Sequence, residues 1–211
     1  MRLLVTDPAL QALRQATAWL ITTLGRNRSN NKPTQPNTMT LALDNSRWLT
    51  LATAYGSDSE QVVGWLREAY AHGMQEEMLG DLINEIQHQG DTSEAMYAVA
   101  PHLLALAETA ESGMARQLDI HAGLIHCASQ VNGAVQCPED LKVEFMLSAS
   151  IGKHRIAGWI QTAEALDDFK YAVAALAGFL GHGRFGFVIE GVEFYNDQFY
   201  HAGVDDPIPG A

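Results

Sequence analysis

Between His88 and Leu106 the chain reads His-Gln-Gly-Asp-Thr-Ser-Glu-Ala-Met-Tyr-Ala-Val-Ala-Pro-His-Leu-Leu-Ala-Leu, and no other stretch constrains the fold as tightly. Gly90 can take the left-handed backbone that closes a helix. Asp91 can accept from the free amides of the next helix, and Glu94 stands where the glutamate of a capping box belongs. The spacing predicts two helices joined across a very short turn. Turns of that length make antiparallel helical hairpins, and a chain built from hairpins stacks into an all-α scaffold.

The same punctuation recurs along the chain. Asp7 and Pro8 begin a helix that carries Leu10, Leu13, Ala16, Leu20 and Leu24 and stops at Gly25, so residues 1–25 form an N-terminal helix. Residues 26–38 hold two prolines and no apolar side chain, as a flexible loop does, and Arg26, Arg28 and Lys32 make that loop locally basic. From residue 44 to 181 helix follows helix. Trp48, Leu49, Ala52 and Tyr55 lead to Gly56; Ser57 and Glu60 form a second capping box ahead of Val62, Val63, Leu66, Ala69 and Tyr70. Met78, Leu79, Leu82, Ile83 and Ile86 precede the turn, and Ala95, Val99, Leu103 and Leu106 follow it with Pro101 inside the helix. Another helix starts at Gly113 and leads to a loop at Val131 to Cys137. Residues 138–164 keep helical register across Gly152, as one helix or two, and Asp167 to Leu180 make a last one. Residues 184–201 are rich in aromatic and β-branched side chains. Val192 to Tyr195 and Gln198 to His201, flanking Asn196-Asp197, read as a small β-hairpin and the only sheet. Residues 203–211 are a tail, and the whole is a single domain, 1–211.

Charge narrows the partners. The chain carries 13 basic and 25 acidic residues, a net charge of -12, which repels nucleic-acid phosphates and suits a basic protein partner. No apolar run approaches a membrane span. Two cysteines, Cys127 and Cys137, supply no disulfide framework, so a cytoplasmic protein with reduced thiols is expected.

The segments Trp48 with Ala54-Tyr55-Gly56, His88-Gln89-Gly90, Ala98-Val99-Ala100-Pro101-His102-Leu103 and Ala174 to His182 resemble a family of bacterial HEAT-like helical proteins, over about residues 44–182. The resemblance implies a HEAT/armadillo-like superhelix and a binding role, in some members as immunity factors that neutralise toxins. It implies no catalytic residue.

Motifs that could carry chemistry have plainer explanations. Gly181-His-Gly183-Arg-Phe-Gly186 matches the dinucleotide fingerprint letter for letter, yet it follows a helix instead of a strand and is expected to open an extended segment. Its glycines are better used to end a helix. His121, His126, Cys127 and Cys137 have zinc-ligand chemistry but not a compact zinc spacing. Glu76-Glu77 and Asp167-Asp168 sit where carboxylates complement helix N-termini. Ser148 and Ser150 lie inside a helix, away from any nucleophile elbow. His88, Gln89 and His102 are assigned structural roles, bonding carbonyls at helix ends or beside Pro101. No catalytic, metal or cofactor residue is therefore nominated, and no partner-binding residue. The expectation is a non-enzymatic, protein-binding helical scaffold, in its most specific form a neutraliser of a basic toxin. Its rival is a small-ligand or metal-binding protein, or an enzyme, with a cleft between helices.

Overall fold

The computed structural model of the chain describes residues 40–57, 59–88, 91–163, 166–190, 192–195 and 198–201. Seven helices occur among them: α1 (Glu60–His72), α2 (Glu76–Ile86), α3 (Ala95–Ala107), α4 (Ser112–Ala128), α5 (Lys142–Thr162), α6 (Leu166–Phe179) and α7 (Gly183–Glu190). Two short antiparallel pairs complete the fold, β1 (Gln87–His88) with β2 (Asp91–Thr92) and β3 (Val192–Tyr195) with β4 (Gln198–His201). The N-terminal helix, the 26–38 loop, the tail and Gln89-Gly90 lie outside the described residues.

The apolar steps of the sequence are the buried faces of these helices. In α1 they are Val62, Val63, Leu66 and Ala69, and the helix ends at Gly73, whose φ of 87° only glycine adopts freely. In α2 they are Leu79, Leu82 and Ile86. Every residue of α3 except Ala105 is buried, as a helix apolar on all sides requires. α4 packs on α3, α5, α6 and α7, so it is the axis of the C-terminal body, while α1 and α2 contact each other and α1 reaches α3.

Glycines bring that body together. A Cβ on Gly123 would lie 2.5 Å from the Cβ of Ala175, and one on Gly186 2.5 Å from Cys127 Sγ, both closer than real side chains approach. Gly178 faces the Gly123 and Cys127 backbones, and Gly152 lies under the Phe179 ring. Backbone thus meets backbone where α4, α6 and α7 converge.

The structure alters several expectations. The turn after α2 is a two-residue β-hairpin, with His88 opposite Asp91, and α3 begins at Ala95 with no side-chain cap. Asp91 is committed to a strand, so the capping box with Glu94 is not made. The Ser57 and Glu60 box is not made either, because Ser57 Oγ donates to Glu85 Oε1 at 3.0 Å. Two buried serines ahead of helices behave alike: Ser59 donates to the Leu51 carbonyl (2.7 Å) and Ser93 to that of Ile86 (2.8 Å), tying each helix start to the preceding segment. Between Asp44 and Gly56 only a 3-10 turn forms, Ser46–Thr50, with Trp48 buried and Leu49 and Tyr55 exposed. Residues 142–162 are one helix, which continues through Gly152. The 184–201 segment is a hairpin only from Val192; its first part is α7, because Gly181 (φ 83°) closes α6 and lets the chain turn back into a helix. The β3–β4 register is the expected one, with Tyr195 opposite Gln198, but it is not the only sheet. No described helix is long and apolar enough to cross a membrane.

Candidate functional site

On the outer surface of α1 and α2 an open depression of about 440 Å³ is lined by Tyr55, Gln61, Trp65, Asp81, Asn84 and Glu85. Its side chains come from helical steps: Gln61 and Trp65 are four apart on α1, and Asp81, Asn84 and Glu85 share one face of α2. Buried Leu66 and Leu82 anchor both helices, which leaves these residues facing outward.

A hydrogen-bond network fixes the walls. Asn84 Nδ2 donates to the Tyr55 hydroxyl at 2.9 Å, and His88 Nδ1 lies 3.0 Å from Asn84 Oδ1 and 2.8 Å from the same hydroxyl. Asn84 Oδ1 can only accept, so the contact at 3.0 Å requires a proton on His88 Nδ1; the Tyr55 hydrogen is then free to point into the depression. The Tyr55 and His88 rings lie 4.7 Å apart. Glu85 is held at two points: its side chain accepts from Ser57, which in turn contacts Thr53 at 2.8 Å, and its carbonyl accepts from Ala54 N–H at 2.9 Å.

The electrostatics are one-sided. Residues 60–86 contain six acidic residues against a single arginine, and that Arg67 donates through Nη2 to the Leu43 carbonyl at 2.8 Å. Among the described residues no Lys or Arg lines the depression. Two carboxylates beside an indole and a phenol are the chemistry that receives an ammonium or guanidinium, by charge and by cation–π contact. The arrangement offers neither a nucleophile paired with a base nor a metal cage.

Two buried histidines, His102 and His126, are structural. His102 is buried, with Nε2 2.9 Å from the Leu41 carbonyl and Nδ1 2.9 Å from the Tyr70 hydroxyl, and burial pulls its pKa down to about 4. It does not turn to the carbonyls beside Pro101. His126 Nε2 lies 2.9 Å from Ser148 Oγ, a distance that suggests a nucleophile and its base. The proton runs the wrong way for that. Ser148 donates its one hydrogen to the Phe145 carbonyl at 2.7 Å, so it accepts from His126, which stacks 3.8 Å from the Phe145 ring. Burial of His126, down to a pKa of about 3, makes it a neutral core donor.

The four residues with zinc chemistry are not brought together. Cys127 Sγ points at the Ala174 carbonyl (3.1 Å), Cys137 Sγ at that of Pro138 (3.5 Å), His126 at Ser148, and His121 lines a cleft between α2 and α4. Neither cysteine is in a disulfide, and no group of three His, Cys, Asp or Glu among the described residues could hold a metal. The fingerprint-like glycines open a helix, contrary to the extended segment expected after them. They still serve packing: Gly183 N–H donates to Gln130 Oε1 at 2.8 Å, and a Cβ there would lie 2.6 Å from the Cys127 carbonyl. Glu76 and Glu77 occupy the first turn of α2, and Asp168 in the first turn of α6 pairs with Arg116 at 2.8 Å.

The sequence nominated none of the depression residues, although their signal was present: a tryptophan among polar residues on α1 and a polar stripe at three- and four-residue steps on α2. Also missed was the fully buried Asp119, which accepts from Arg155 Nε (3.1 Å) and Trp159 Nε1 (2.8 Å) and leaves Oδ1 with no hydrogen-bond partner among the described residues. Burial raises its pKa, against the opposing pull of Trp159 and Arg155. Comparison with known protein families, with curated proteins and with solved structures finds no match for this chain.

Proposed function

We propose that this chain is a non-enzymatic, protein-binding helical scaffold whose partner is basic, with the α1–α2 depression receiving a lysine or arginine side chain. A single observation carries the proposal. The most acidic pair of helices presents Asp81 and Glu85 beside Trp65 and Tyr55 in an open recess without a competing cation. The net charge of -12 extends the same attraction over longer range, which raises association rate more than affinity. Neutralisation of a basic toxin is the most specific form of this role.

A HEAT-like stack belongs to the same proposal. Packing of α3 on α4, α5 on α6 and α6 on α7 supports stacked hairpins, and the further contacts of α4 with α6 and α7 would wrap the stack about one central helix. Two cysteines outside any disulfide, Cys127 and Cys137, suit a cytoplasmic setting.

The test is affinity capture from native extract at low and high salt, followed by identification of the bound protein. A basic protein that is retained at low salt and released by salt supports the proposal. Recovery of no protein, or of an acidic one held equally at both salt concentrations, overturns it.

A further inference from the structure

The second recess differs in kind. About 240 Å³ of more enclosed space lies where α2 and the β1–β2 hairpin lean over α4 and α7. Ile83, Leu124, Val131 and Phe187 form an apolar wall, and Gln87, Asp91 and His121 supply polar groups. α2 and α4 do not pack closely on each other, so the space is a gap between two parts of the fold.

His121 sets this gap apart from a packing defect. Buried His102 and His126 each bond a protein group, as does His88, whereas the His121 ring has no hydrogen-bond partner among the described residues. Burial lowers its pKa, so at neutral pH it presents one N–H donor and one bare nitrogen acceptor. Among the described residues Asp91 is the one charged residue on the lining, and no Lys or Arg joins it. An anionic ligand would face that carboxylate uncompensated; an ammonium would be matched by it and could also donate to the imidazole nitrogen.

We infer that this cleft binds a small arylalkylamine, with the ammonium at Asp91 and His121 and the ring against Leu124, Val131 and Phe187. The apolar wall takes the hydrocarbon out of water, and Phe187, about half exposed at 52%, gains an aromatic partner. The volume suits a ligand of about ten heavy atoms, at the small end of binding cavities.

Three isosteric probes test this on the intact chain: 2-phenylethylamine, 2-phenylethanol and phenylacetate, followed through the His121 ring resonances. Saturable shifts with the amine, weaker ones with the alcohol and none with the acid are expected. Asp91→Asn, on an exposed residue, should weaken the amine about tenfold and bring it level with the alcohol. Ala128→Leu, which fills the cleft from α4, should abolish both. No saturable shift with the amine up to its solubility limit, equal binding of all three probes, or an unchanged affinity in Asp91→Asn would overturn the assignment.

Discussion

Tyr70 donates its hydroxyl hydrogen to Nδ1 of His102, with the two rings edge to face and their centroids 5.7 Å apart. The direction is forced from the other side of the imidazole, where the Leu41 carbonyl can only accept and so requires a proton on Nε2. Burial holds the Tyr70 hydroxyl protonated, its pKa pushed up to about 12, so the donor persists across the accessible pH range. One neutral histidine thus ties the segment before α1 to α1 and α3.

That neutrality sets the pH dependence of stability. His102 in the folded chain has a pKa of about 4 and His126 of about 3, against the ordinary 6.5. Both folded pKa values lie below the unfolded one, so the unfolded chain takes up protons first as the pH falls. The stability they contribute is complete above about pH 6.5 and is lost progressively toward pH 4. With two such groups the slope reaches about 3 kcal/mol per pH unit, partly offset by Asp119, whose raised pKa acts in the opposite sense. Urea midpoints measured from pH 7.5 to 4.5 should fall steeply, and less so in His102→Gln. A flat profile would remove the buried, neutral histidines from the account.

Ser148 bonds His126 without being activated by it. Ser148→Ala is expected to cost about 1–2 kcal/mol in urea unfolding, because the His126 N–H would lose its acceptor in a dry site. A fluorophosphonate probe should not label the native protein. Labelling at Ser148 would show that the proton runs from serine to histidine.

Two glycines of the same residue type should respond with opposite sign. Gly178, pressed against the Gly123 and Cys127 backbones, should lose about 2 kcal/mol or more as Gly178→Ala. Gly64, on the exposed side of α1 where an added Cβ would meet nothing within 4 Å, should gain up to about 1 kcal/mol as Gly64→Ala. Thermal denaturation of the two variants checks the pair. Equal effects would mean that the α4–α6–α7 seam is looser than described.

Helix positions were legible because burial repeats along the chain: Val62, Leu66 and Ala69, or Phe145, Ala149, Gly152 and Ile156, mark their helices without any knowledge of neighbours. The ends were less so. Asp91 and Glu94 have the letters of a capping box, yet Asp91 pairs with His88 across a hairpin, a choice made between two strands and invisible in either. Leu49 and Tyr55 read as one apolar face and are both exposed, since a short segment satisfies helical spacing by chance. The Gly181 to Gly186 motif shows the limit most clearly. Gly183 and Gly186 are required by Cys127, more than fifty residues earlier in the chain, and only the folded structure brings it near. The depression escaped notice for the same reason, because Tyr55, Trp65 and Asn84 converge from three segments.

The most direct test of the central claim compares two double charge reversals that change net charge equally, Asp81→Lys with Glu85→Lys in the depression and Glu111→Lys with Glu139→Lys on exposed positions away from it. Each is assayed for binding to the basic protein captured by the native chain, with circular dichroism confirming the fold. A loss of affinity of about tenfold or more confined to the Asp81 and Glu85 variant is the expected result. Equal loss in both would reduce the attraction to overall charge, and full retention by the Asp81 and Glu85 variant would contradict the account.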